Sequence, residues 1–495
     1  MNDSWLMTAA LATPFAATAG VLLAGRWPNL REAGSLAAAA VLCVCVALLV
    51  PNVMAGGRPR LAALEIFPGI EIAFALEPLG LGFAFLAAFL WFVTVVYSIG
   101  YMRAHGEQHQ TRFYAFFALA IGAAIGAAFA ANLLTLYIFY EALTLATYPL
   151  VTHGGGERDR AGGRTYLVVL LGTSLTFLLL AMVWTYTLTG TLAFIDGGVF
   201  ATDQGLPPGA TPTVVAVLYA LFLFGTGKAA LMPFHRWLPA AMVAPTPVSA
   251  LLHAVAVVKL GVFAILKVTV YTFGIGTLRD LNATDVMQYV AAATLLTAAV
   301  LALREDNLKR RLAFSTISQL AYIVLAATLA THAALLGGGL HIAAHALAKI
   351  TLFFCAGMVL VALHKTSVSE LRGAGRAMPL TFAAWIVASL CVIGLPLTGG
   401  FWSKWYLATG ALDAGKPWMM AVVLTGSLLA MGYLLPPAVR AFYSPAAADS
   451  RPADAARAVE APWPSLAALG LTATLSVALF FAAPPILNFL AGFAQ

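Results

Sequence analysis

The chain has 495 residues, of which 61% are hydrophobic and 9% charged, with a mean hydropathy of +0.90 and a formal net charge of +7. That balance belongs to a polytopic membrane protein and excludes a soluble globule. The basic residues lie in short separate loops and form no tract, so membrane topology accounts for them and a nucleic-acid partner is not implied.

Apolar runs of the length that crosses a bilayer, about 20 residues, fall near 5–24, 34–54, 78–100, 112–130, 132–150, 165–189, 213–238, 247–271, 285–303, 310–330, 337–363, 378–410, 418–443 and 464–490. The expected fold is therefore all-α and polytopic, with about fourteen transmembrane helices. The first run has no basic stretch before it and no small-residue cleavage site after it, and reads as a span rather than a removable signal. The fourth and fifth are divided only around Ala131 and Asn132.

Alternate connections carry the positive charge: Arg26 and Arg31; Arg103 and Arg112; Arg158, Arg160 and Arg164; Arg236; Arg304, Lys309, Arg310 and Arg311; Lys365, Arg372 and Arg376; Arg440, Arg451 and Arg457. The opposite connections hold only Arg58, Arg60, Arg279 and Lys416. The asymmetry places the first set in the cytoplasm and both termini on the outer, periplasmic side of the cell (inner) membrane. The long polar connections, 55–77, 190–212 and 444–462, are too short for a catalytic domain, and Asp196 and Asp203 in the second read as solvated.

Two spans are interrupted alike. The seventh carries Gly225-Thr226-Gly227-Lys228 and then Met232-Pro233; the twelfth carries Gly394-Leu395-Pro396-Leu397-Thr398-Gly399-Gly400 and then Lys404. Proline removes an intrahelical hydrogen bond, and broken backbone at membrane depth survives only where protein or a wet cavity satisfies it. The breaks stand five spans apart, as expected if residues 112–271 and 285–443 are two five-helix units, inverted because each holds an odd number of spans. Residues 1–111 then supply about three N-terminal spans, and 444–495 a loop and the last one. Residue identity does not display the repeat, which rests on spacing, breaks and lysines.

Charges at bilayer depth cost roughly 3 kcal/mol or more each, yet Lys228, Lys259, Lys267, Lys349, Lys404 and Glu141 occupy apolar spans. Glu141, at the middle of its run, reads as the only carboxylate so far from an interface and as a switchable partner for a lysine. Every mid-membrane cation is Lys or His, groups that can release a proton where arginine cannot. Lys267, near a helix end, also fits a snorkelling side chain. His341, His345 and Lys349 are spaced i, i+4, i+8 on one helix face, which suits a proton relay; a metal site lacks a third ligand and structural histidines remain an alternative. His253 and Lys259, six apart, flank a path without stacking along it. His235 and Arg236 read as the cytoplasmic end of the seventh span. Cys43, Cys45, Cys355 and Cys391 lie in apolar runs without paired spacing, so no disulfide, iron-sulfur or zinc role and no cofactor is expected.

Six strings carry a resemblance: Leu136 to Glu141, Lys228 to Pro239, Ala244 to His253, Lys309 to Gln319, His341 to Lys349 and Gly394 to Lys404. Together they resemble the antiporter-like proton-conducting family shared by Mrp cation/proton antiporters, respiratory complex I (NADH-quinone oxidoreductase) and membrane-bound hydrogenases, over about residues 75–435. The resemblance implies a subunit that moves protons beside other membrane subunits. In it Glu141 pairs with Lys228, His253 and Lys259 pass the proton inward, His345 and Lys349 continue it, and Lys404 controls its exit. The 310–330 span has no counterpart of Glu141, which departs from a symmetric two-channel scheme. Lys404, the end of the sequence soon after span fourteen, and His253 with Lys259 look most like the D-type subunit of Mrp antiporters, which exchange Na⁺ or K⁺ for protons. A proton-pumping subunit of a redox complex, of the L, M or N type, is the alternative.

Overall fold

The computed structural model describes residues 3–67, 70–201, 205–445 and 459–493. Asp203, Arg451, Arg457 and most of the 444–462 connection therefore lie outside the described residues. Helices α1 (Asp3–Leu23), α2 (Pro28–Met54), α3 (Pro78–His105), α4 (Gln110–Ala128) and α5 (Leu133–Val151) lead the chain, with strands β1 (Arg60–Phe67) and β2 (Ile70–Ala75) between α2 and α3. Next come α6 (Glu157–Thr173) and α7 (Leu179–Thr189), joined by a π-turn into one span, then α8 (Pro212–Gly225), α9 (Trp237–Ala240), α10 (Thr246–Ala250), α11 (Val257–Val268) and α12 (Ile275–Asp280). The rest comprises α13 (Asp285–Arg304), α14 (Leu308–Leu329), α15 (His332–Leu363), α16 (Ala374–Ala377), α17 (Pro379–Ile393), α18 (Gly399–Asp413), α19 (Pro417–Tyr443) and α20 (Trp463–Ala491).

Twelve helical segments among the described residues are long and apolar enough to cross a membrane, and the two shorter apolar helices, α8 and α17, are the leading halves of the two interrupted spans. The chain is a multi-pass, predominantly helical membrane protein with two broken helices. One connection departs from the all-α reading: within 55–77, β1 and β2 form an antiparallel hairpin. Its alternating Leu64, Ile66, Ile70 and Ile72 satisfy the period of a strand, a pattern too short to register as a span. The hairpin is knitted to the α4–α5 junction by Ala75 N to Phe129 O and Ala131 N to Ala73 O, and Asn132 caps α5 by accepting from Thr135 N at 2.7 Å.

Glycines at two points let broken backbone pack closely. A Cβ on Gly261 of α11 would lie 2.5 Å from Ala229 N, so only glycine admits the strand of chain beyond α8. A Cβ on Gly400 would collide with Cys391 O, so glycine there lets α18 begin against the end of α17. Trp237 Nε1, donating to Gly227 O at 3.0 Å, fixes the first break from its far side. These contacts hold the first break, with Pro233 in its turn, against the fully buried α11, and the second, with Pro396 in its turn, between α17 and α18.

Candidate functional site

Lys228 leaves the end of α8 and points at α5. Its Nζ donates to Tyr140 O at 2.8 Å and Thr144 Oγ1 at 2.6 Å, and stands 3.2 Å from the centroid of the Tyr140 ring. The Tyr140 hydroxyl accepts the Lys228 backbone N–H at 3.1 Å, so a single tyrosine serves both ends of the lysine. An ammonium over a desolvated aromatic face gains about 2 kcal/mol. Lys228 itself is fully buried.

The expected Glu141–Lys228 ion pair is not formed. Both Glu141 carboxylate oxygens are covered yet have no hydrogen-bond partner in the protein. The cause is helical geometry: Tyr140 and Thr144 turn inward on α5, whereas Glu141 falls on its partly exposed side with Leu134, Ile138 and the 58%-exposed Leu145. Glu141 is near enough to influence Lys228 through space, but it faces the flank of the molecule.

Deeper in the chain the polar residues meet one another. Lys259 Nζ and His345 Nδ1 are hydrogen-bonded. The His345 and His341 rings stack with centroids 5.9 Å apart and planes 6° from parallel. His341 Nδ1 meets Ser403 Oγ at 2.8 Å, while its ring lies 5.6 Å from that of Tyr322. Lys404 Nζ stands 4.5 Å from the Tyr322 centroid and donates to Val392 O at 2.9 Å, Ile393 O at 3.1 Å and Ser427 Oγ at 2.8 Å. A nearly continuous line of Lys259, His345, His341, Ser403 and Tyr322, and Lys404 thus crosses from α11 through α15 to the second break.

Lys349 branches from this line, donating to Ser315 Oγ at 2.5 Å and Leu312 O at 3.3 Å; Ser315 donates in turn to Tyr433 Oη at 3.1 Å. His253 lies in a π-turn, Leu251–Val255, that resets the helix before α11. The irregularity brings His253 near His345 as well as Lys259, with its ring 4.6 Å from that of Phe353, and neither imidazole nitrogen has a protein partner. This irregularity, like the π-turn between α6 and α7, escaped the sequence, because no proline lies within it. Its residues are all buried, as are Lys259, His345, Lys349 and His341.

One further reading needs correction. Lys267 does not snorkel: it is 1% exposed and paired with Glu77 at 3.1 Å. Glu77 is itself buried, but as the cap at the start of α3 rather than in mid-helix like Glu141. The hydroxyls of Thr144, Ser315 and Ser427 also accept from the lysine ammoniums, that of Tyr140 accepts from the Lys228 backbone and that of Ser403 meets His341; their signal was only their presence in apolar helices. Among the described residues no three His, Cys, Asp or Glu side chains converge as metal ligands.

Comparison with known proteins agrees with this architecture. Residues 130–430 match the family described as NADH:quinone oxidoreductase/Mrp antiporter, TM, and residues 68–114 match the N-terminus of chain 5 of complex I. The chain is 35% identical over 405 residues to NADH-quinone oxidoreductase subunit N of Desulforudis audaxviator, covering 80% of this chain and 78% of that protein. It is 32% identical over 454 residues to subunit L of Mycobacterium tuberculosis, covering 89% and 68%. In fold it is similar to a chain of the Mrp complex from a Dietzia species (TM-score 0.86, 23% identity, 100% and 97% covered) and to one of an archaeal membrane-bound sulfane sulfur reductase (0.85, 24%, 99% and 96%). With 301 of its residues inside one family model, the chain belongs to the transmembrane family shared by NADH:quinone oxidoreductases and Mrp antiporters.

Proposed function

We propose that this chain is a proton-translocating, antiporter-like subunit of a larger membrane complex, in which protons move along Glu141, Lys228, His253, Lys259, His341, His345, Lys349 and Lys404. The observation that carries the reading is the line from Lys259 through His345 and His341 to Lys404. It joins groups that each gain and lose a proton, and among the described residues no carboxylate pairs with Lys259, Lys349 or Lys404 to immobilise their charge. The residues are divided between the units 112–271 and 285–443, whose breaks around Pro233 and Pro396 put a lysine beside satisfied but non-helical backbone. In this reading Glu141, on the flank of α5, exchanges protons with a neighbouring subunit.

In the finer form of this reading the complex is a multisubunit Na⁺ or K⁺/proton antiporter and the chain is its D-type subunit, in the cell inner membrane with both termini outside. Lys404 and the near-complete overlap with a chain of the Mrp complex support it. The second reading, a pumping subunit of an NADH-quinone oxidoreductase or hydrogenase-type complex, is favoured by the 35% identity to a subunit N. In the redox form the cofactors would lie in other chains.

The test is cation-driven proton movement in inverted vesicles holding the chain with its neighbouring gene products at matched complex levels. Na⁺- or K⁺-dependent exchange that is lost in Lys228→Ala supports the antiporter form. Proton movement driven only by electron donors supports the redox form. Transport undiminished in Lys228→Ala and Lys404→Ala rejects both.

A further inference from the structure

The ion pair between Glu77 and Lys267 is not used by the line described above. Lys267 Nζ lies 3.1 Å from Glu77 Oε1 and donates to Ala130 O at 2.8 Å, with the two side chains 1% and 8% exposed. The Phe194 and Phe263 rings stand 4.9 and 5.5 Å from the ammonium. Four parts of the chain meet there: the start of α3, the α4–α5 junction, the last turn of α11 and the connection after α7.

A pair that only pinned helices would have its remaining polar atoms satisfied, because unsatisfied buried charge is costly. Here Glu77 Oε2, Tyr271 Oη and Thr272 Oγ1 are buried without a hydrogen-bond partner in the protein. Tyr271, one turn beyond Lys267, stands close to Glu77 without meeting hydrogen-bond geometry, and the exposed Arg58 and Asp196 are within electrostatic reach of it. Toward the interior, Lys259, Phe263 and Lys267 recur every four residues on one face of α11. Lys259 is thus two turns, about 12 Å, deeper. Phe263 lies between the two lysines, stacked at 4.9 Å on Phe83 of α3.

We propose that Glu77 and Lys267 form a relay between Lys259 and the face bearing the 190–212 connection, with Phe263 as the barrier between the two lysines. This rests on the proton-translocating reading and extends it to an outlet. In the transfer an N–H bond of the Lys259 ammonium breaks, leaving the amine; water carries the proton past Phe263, and an O–H bond forms at Glu77 Oε2, loosening the pair with Lys267. The proton then passes to water beside Tyr271, Arg58 and Asp196, and the pair re-forms. The charged or titratable groups beside Glu77 are Lys267 and Tyr271 of the eighth span; Arg58 before the hairpin and Asp196 of the connection are within electrostatic reach of Tyr271, and the α4–α5 junction offers the carbonyl of Ala130 to Lys267.

The experiment compares four proteins in the vesicle assay at matched complex levels: a Glu77→Gln/Lys267→Met double variant, which leaves no lone buried charge, Phe263→Trp, Phe263→Ala and the control Lys228→Ala. The double variant is expected to slow transport by about tenfold and to flatten its pH profile. Phe263→Trp is expected to slow it with both charges in place, and Phe263→Ala to raise passive proton leak under an imposed pH gradient. If Lys228→Ala abolishes transport while the double variant and both Phe263 variants keep wild-type rate, pH profile and leak, the relay is overturned and the pair is scaffolding. If Lys228→Ala is itself active, the translocation reading fails first. Should the double variant not assemble, the Phe263 variants decide: unchanged rate and leak overturn the proposal.

Discussion

At the break after α8, Lys228 lies over Tyr140 and takes one mid-helix carbonyl and a threonine; at the break after α17, Lys404 lies beside Tyr322 and takes Val392 O, Ile393 O and Ser427. Tyr140 and Tyr322 both sit on the second helix of the proposed units 112–271 and 285–443, and each ring stands beside the lysine at its break. Their charge compensation differs. Val392 and Ile393 are in the last turn of α17, where carbonyls are free and carry the negative end of the helix dipole. Tyr140 O sits inside α5, where it is shared with the Thr144 hydroxyl. Lys404 is therefore held by a helix end, while Lys228 is held by a mid-helix carbonyl, the Thr144 hydroxyl and the Tyr140 ring, with Glu141 near but unpaired. The residue after Tyr140 is Glu141, whereas the residue after Tyr322 is Ile323.

The sharpest way to break the comparison is Lys228→Ala, expected to lower transport by about a hundredfold or more at matched complex levels, as for loss of a positioned proton-transfer group. Glu141→Gln removes the compensating charge without removing bulk and should slow the same assay by about tenfold; wild-type transport would show that the through-space partner is dispensable. Lys404→Arg retains a cation for the α17 carbonyls but not a releasable proton. Assembly is expected to stay intact, judged by size-exclusion of the solubilised complex, while transport drops several-fold. Tyr322→Phe keeps the ring beside Lys404 and removes only the hydroxyl that donates to Val423 O at 3.0 Å. It should cost about 1 kcal/mol, read as a small fall in Tm with transport preserved.

The smallest expected effect lies outside the membrane. In the loop between α3 and α4, burial pushes the Glu107 carboxyl above its ordinary value, with His105 and Lys309 pulling it partly back. A raised carboxyl binds its proton more tightly in the folded state, so stability falls as pH rises from about 4.5, the unfolded value, through the folded pKa. Glu107→Gln should remove that slope, measured as Tm against pH.

Much of this was legible in the sequence. Both breaks, the fourteen runs and the spacing of His341, His345 and Lys349 follow from local rules of proline, hydrophobic length and helical period. Less of the site was legible. Glu77 sits at a helix start, where it caps α3, and nothing local announces that Lys267, far along the chain, reaches it. Glu141 was misplaced for a related reason: adjacent residues on a helix point about 100° apart, so Tyr140 and Glu141 cannot both face Lys228.

Which spans carry lysines and histidines, and where the backbone gives way, can be read from the chain alone, because these depend on composition and on interactions within a few residues. What each one touches depends on contacts between distant helices. An ammonium on a four-carbon stem is satisfied equally by a carbonyl, a hydroxyl, a ring or a carboxylate, and the choice between Tyr140 and Glu141, or between the membrane surface and Glu77, is made by how the helices rotate and pack.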